Sequence, residues 1–171
     1  MILTWKEILK EVKNNKIKIE NFDESNLTSN SYDLRLWTKI LKYKSDILDT
    51  KKENEYDIID IPVEWYLLQQ WEFVLSSSAE KIGSDFYTPL IHNKSWVARL
   101  WLFVHITADL IDLWFYWNTT FQLFATLPVK IYPNMKIAQV TFWETKWDIE
   151  TYNWFYKDSV WPIASKIHLE K

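Results

Sequence analysis

Apolar and polar residues alternate in short runs along most of this chain. Tyr32, Leu34 and Leu36 fall two apart with Asp33 and Arg35 between them, the pattern of a strand that lays one face on a core. Similar β-like runs recur at 55–62, 65–70, 72–78, 86–92, 102–107, 120–127, 129–133 and 136–144, separated by turn residues. Only the beginning departs from this period. Thr4 and Glu7 have the spacing of a capping box, and Ile8, Leu9 and Val12 follow as one helical face. The pattern predicts a short N-terminal helix followed by a mostly β sandwich or barrel-like domain. No repeat or low-complexity linker divides residues 1–171, so a single domain is expected, with 49–57 as a solvated loop.

Charge and composition narrow the class. With 171 residues the chain is long enough to bury a core, and a net charge of -3 offers no electrostatic case for nucleic acid or anionic membrane. The absence of cysteine excludes a disulfide framework and a thiolate zinc site. The apolar stretch 97–117 is interrupted by Arg99, His105, Asp109 and Asp112, which excludes a membrane span. The first twenty residues mix charged and apolar positions without the apolar core of a signal peptide, so a soluble cytoplasmic protein is expected.

Two counts change the picture. The chain has one glycine and twelve tryptophans, where a soluble domain of this length carries roughly 12 glycines. A turn-rich β protein needs residues with positive φ, which glycine supplies without a steric penalty. Tryptophan stands instead at turn-like positions such as Trp65, Trp71, Trp101 and Trp114.

At 31–36, 94–102, 105–112 and 161–167 the chain resembles the dCTP deaminase branch of the dUTPase superfamily, over nearly its whole length. The resemblance implies a distorted jelly-roll-like β-barrel, a homotrimer with active sites between subunits, and a pyrimidine deoxynucleoside triphosphate, dCTP or dUTP, as substrate. Mg²⁺ is expected with it, held mainly through the phosphates. Where that family carries glycine or a tight turn, this sequence has Trp5, Trp37, Trp65, Trp71, Trp96, Trp101, Trp114, Trp117, Trp147, Trp154 and Trp161; only Trp143 reads as an ordinary aromatic. The correspondence predicts a gene that uses UGA for glycine, translated as though UGA meant tryptophan. The alternative is a binder with tryptophan stacking platforms, but stacking residues gather on one face and these follow the turns.

The same resemblance assigns candidate roles. Lys94, Ser95 and Arg99 match a loop that holds the triphosphate, where charge-assisted donors and a guanidinium fork suit phosphate oxygens. Without the family, such a trio reads as a solvated basic face. Asp112 matches an aspartate that orients and deprotonates water at the α-phosphate in dUTPases, or holds the sugar 3'-hydroxyl in deaminases; by itself it is also a common turn residue. The carbonyl of Ala108 corresponds to one that orients the deaminase's water. Thr120 and Phe121 fall with the substrate-binding positions.

Gln122 departs from the pattern: the family has glutamate there, shuttling protons at the pyrimidine ring, and an amide cannot accept and return a proton near pH 7. Deamination of dCTP, dUTP cleavage without deamination, and nucleotide binding without catalysis therefore remain alternatives. Tyr152 resembles a stacking tyrosine or packs a strand end, and Lys157 is the nearest substitute for a phosphate-binding lysine where Phe155 now stands. His92, His105 and His168 lack metal-ligand spacing, and His105 reads as a core or interface histidine. Glu144, Asp148 and Glu150 read as a charged strand end.

Overall fold

A computed structural model describes residues 1–146, 148, 156 and 162–170. Helix α1 (Trp5–Lys13) opens the chain with Ile8 fully buried. Its start is as the sequence predicts, but the cap is not: Thr4 makes no side-chain capping bond, and Glu7 instead accepts from Lys10 Nζ at 2.7 Å. One turn of helix brings that lysine within reach, and the charge-assisted pair replaces the capping box.

Eleven strands follow: β1 (Ile17–Ile19), β2 (Tyr32–Arg35), β3 (Lys39–Tyr43), β4 (Tyr56–Asp60), β5 (Tyr66–Leu68), β6 (Phe73–Ser84), β7 (Tyr87–Asn93), β8 (Leu102–Phe103), β9 (Tyr116–Ala125), β10 (Val129–Ile131) and β11 (Lys136–Glu144). A one-turn helix α2 (Ser95–Ala98) lies between β7 and β8. The largest sheet runs β4-β3-β6-β9-β8, with β1 also paired to β6; β2-β11-β7 form a second sheet and β10-β5 a third. The pairings between these strands are antiparallel among the described residues. This is the mostly β architecture expected from the spacing of the runs, with the jelly-roll-like form that the resemblance implies.

Alternation places the core. Tyr32, Leu34 and Leu36 are fully buried, as are Phe121 and Leu123 on β9. Between them, Thr120, Gln122 and Phe124 face the other way and are only partly covered. The β6–β9 register shifts between Ser77 and Lys81. At this irregularity Ser78 Oγ donates to the Glu80 carbonyl at 2.7 Å and accepts from Thr119 N at 2.9 Å, while Asn118 Nδ2 donates to the Ser78 carbonyl at 2.9 Å. Side chains thus replace the ladder bonds lost at a bulge, just before β9 delivers Thr120 and Gln122 to the site.

Candidate active site

A cleft of about 440 Å³ opens on the outward face of β9, within the size range of small-molecule sites. Thr120 and Gln122 project into it from β9; Ala108 and Asp112 reach it from the loop between β8 and β9. Tyr43, Tyr156, Ile163 and Ser165 complete another side. Ser165 N donates to Tyr43 Oη at 2.9 Å, and Ile163 N to Thr120 Oγ1 at 3.5 Å, so the segment 162–166 is fastened to β3 and β9 at the cleft.

Gln122 is oriented by its neighbours. Its Oε1 accepts from Thr107 N and Thr107 Oγ1, both at 3.3 Å, and from Ile106 N at 3.4 Å. Backbone N–H groups require an acceptor, so the amide oxygen faces the loop and the amide nitrogen is the end that can turn to a ligand. A carboxylate could accept the same two N–H groups, with a second oxygen where Gln122 has NH₂. Glutamine and glutamate therefore fit one anchorage and differ in what they offer the cleft.

His105, read from its alternating position as a core or interface histidine, also borders the cleft. A ring nitrogen, Nε2, is hydrogen-bonded to the carbonyl of Ala108, the group that the family resemblance assigns to water. Burial holds the imidazole below its ordinary value of 6.5, against the opposing effect of the Ala108 carbonyl. The neutral ring can still donate one N–H to that carbonyl.

The phosphate candidates are placed differently. None of Lys94, Ser95 and Arg99 lines the cleft. Ser95 begins α2 and Arg99 caps its end, both exposed. Lys94 is 4% exposed and its Nζ bonds Asp33 Oδ1, with Lys136 Nζ 3.8 Å from the other carboxylate oxygen. The lysine predicted to meet phosphate thus neutralises a buried aspartate, because two charges removed from water need each other. Its ammonium also lies 4.7 Å from the centre of the Trp96 ring.

Phe121 requires a similar correction. Its ring is fully buried, since strand alternation sends 121 inward whenever 120 and 122 face the cleft, and only its backbone remains for a ligand. Tyr152 and Lys157 lie outside the described residues, as do Trp147, Trp154 and Trp161. Tyr43, His105 and Tyr156 were not among the predicted site residues. The alternation of 102–107 was the one available signal for His105; Tyr43 and Tyr156 reach the cleft only through tertiary packing.

The fold and this cleft define a class: β-rich proteins with the dCTP deaminase architecture. The structure is similar to the 2'-deoxycytidine 5'-triphosphate deaminase of Agrobacterium tumefaciens, with a TM-score of 0.65 and 17% identity, over 82% of this chain and 47% of that one. The dCTP deaminase-like family model matches residues 2–145. Among curated relatives, "dCTP deaminase, dUMP-forming" of Clostridium beijerinckii is 38% identical over 90% of this chain and 88% of its own length. The protein of the same description from Hathewaya histolytica is 39% identical over 89% and 88%. The chain belongs to the dCTP deaminase-like family.

Proposed function

We propose that the protein is a hydrolase that binds dCTP in this cleft and converts it to dUMP, with the deamination step slowed by Gln122. The observation that carries the reading is the convergence of Ala108, Asp112, Thr120 and Gln122 on one cleft. Asp112 supplies a carboxylate that can hold and deprotonate water for attack at the α-phosphate, releasing pyrophosphate. The Ala108 carbonyl can orient a second water at the pyrimidine C4 once His105 yields it. Gln122 presents an NH₂ donor, which matches the bare N3 of cytosine and opposes the N3–H of uracil. That polarity favours dCTP as the nucleotide bound, although an amide supplies no proton to the ring.

Ser95 and Arg99 lie off the cleft of their own chain, so their part in holding phosphate would be played at a neighbouring subunit's cleft, in the homotrimer that the resemblance implies, while Lys94 stays paired with Asp33. Among the described residues no group of three or more His, Cys, Asp or Glu side chains could hold a metal. Mg²⁺ would arrive on the triphosphate, as the resemblance implies, and neutralise phosphate charge there.

A second reading, dUTP cleavage without deamination, is favoured by the neutral amide of Gln122 alone. Separate incubations with Mg²⁺ and dCTP or dUTP, reading ammonia and pyrophosphate, distinguish the two. The proposal expects slow ammonia release from dCTP, increased by Gln122→Glu, because acid–base assistance typically contributes about 10² to 10⁴ in rate. Pyrophosphate from dUTP with no ammonia from dCTP in either form selects the second reading. Tight binding with neither product makes the protein a nucleotide sensor.

A further inference from the structure

The described chain has six non-glycine residues at positive φ: Asn15, Asn21, Trp71, Trp101, Trp114 and Asn134. Half are asparagine, the side chain that best tolerates this region. The other half are tryptophan, which has no such tolerance, and each has an asparagine counterpart in the same molecule.

Phe115 N donates to the Asp112 carbonyl at 3.3 Å, closing a four-residue turn whose third residue, Trp114, has φ 69°. Glu72 N closes another on Gln69 O at 3.1 Å, with Trp71 third at φ 65°. In both, the second residue is absent from the positive-φ set, which is type II geometry and calls for glycine or asparagine in third place. Tyr132–Met135 makes the same turn with Pro133 second and Asn134 third, at φ 62°. Of the other three, Asn21 lies in the turn after β1 at φ 53°; Asn15 directly follows the Asn14 cap of α1, the usual place of a terminating glycine, and Trp101 comes two residues after the Arg99 cap of α2, both at φ 57°.

The three indoles gain little packing in exchange. Trp71, Trp101 and Trp114 are 64%, 59% and 51% exposed, and they project from three separate turns. The backbones of these turns, in contrast, are tied to β9 and the loop before it. Trp71 N donates to Ala125 O at 2.7 Å, Trp101 O accepts from Thr126 N at 3.1 Å, and the Trp114 turn holds Asp112 and leads directly into β9.

We infer that positions 71, 101 and 114 carry glycine in the working protein, specified by UGA, and that these glycines fix the strand and loop bearing Gln122 and Asp112. Trp143 lies within β11 at negative φ, with its Nε1 donating to Thr141 Oγ1 at 3.0 Å, and remains tryptophan.

Two measurements test this without reference to substrate. The gene, together with the masses of peptides from the protein in its native cells, should show UGA and glycine at 71, 101 and 114, with UGG and tryptophan at 143. UGG or tryptophan at any of the three overturns the inference. In purified full-length protein, Trp71→Gly, Trp101→Gly and Trp114→Gly should each raise the folding equilibrium constant by roughly 5- to 30-fold, while Trp143→Gly should lower it. Unchanged or reduced stability in the three variants overturns the strain argument. A glycine-bearing protein that is stable but inert toward dCTP and dUTP would count against the proposed function alone.

Discussion

The turns Tyr132–Met135 and Asp112–Phe115 share a hydrogen-bonding pattern and nearly the same φ at their third residue, 62° and 69°. The first is built from Pro133 and Asn134, residues suited to a type II turn. The second uses Leu113 and Trp114, and carries Asp112 into the cleft. Local chemistry and backbone agree in one region and conflict in the other, and the conflict lies beside the site. Conflict at a functional position can reflect strain used in mechanism, but the same mismatch recurs at Trp71 and Trp101, two turns outside the cleft lining. A residue-type effect accounts for all three.

The largest way to break the difference is to remove all three indoles together. Each side chain in the left-handed region costs about 1–2 kcal/mol, so Trp71→Gly/Trp101→Gly/Trp114→Gly should gain up to about 3–6 kcal/mol in urea unfolding, with 71 and 101 coupled through the Ala125–Thr126 peptide that both bond. The reciprocal change, Asn134→Trp, should cost about 1–2 kcal/mol and make the well-formed turn resemble its counterpart; an unchanged midpoint would show that these turns tolerate indole.

Leu113→Pro sharpens the comparison from the second position. Proline is favoured there in a type II turn, and a compatible proline stabilises by about 0.4–1 kcal/mol through the unfolded chain. A loss in thermal melting would mean that the backbone at 113 is not of that type. The smallest expected effect is pH-dependent and belongs to the loop preceding the same turn. Burial lowers the pKa of His105 in the folded state, so below the ordinary value of 6.5 the unfolded chain takes up a proton that the folded chain resists. Stability should therefore fall as pH drops through that value, and His105→Gln should flatten the slope. An identical slope in the variant would remove His105 from the acid response.

Much of the architecture was legible beforehand because the side-chain period of a strand is local. The alternation around Tyr32, Leu34 and Leu36 and the runs at 55–62 and 136–144 appear as β2, β4 and β11. The run 102–107 shortened to Leu102–Phe103, since the chain leaves β9 there to place His105 and Ala108 at the cleft. Legibility of placement at the cleft extended to Ala108, Asp112, Thr120 and Gln122, all marked by the family motif. It failed at Lys94 and Phe121: the buried partner of one and the inward register of the other are set by contacts distant in sequence.

Tryptophan illustrates the same division. Sequence alone raised the exchange with glycine, through one count set against the other. It could not rank the positions, and several do not require glycine by backbone angle: Trp5 lies in α1, Trp96 in α2 and Trp117 within β9, all at negative φ. Local pattern determined the helix, the strands and the family motifs, because each depends on residues a few places apart. Only the tertiary structure decided which turns bend left-handed, which charges are buried together and which side chains share a cleft, because those follow from how distant strands register against one another.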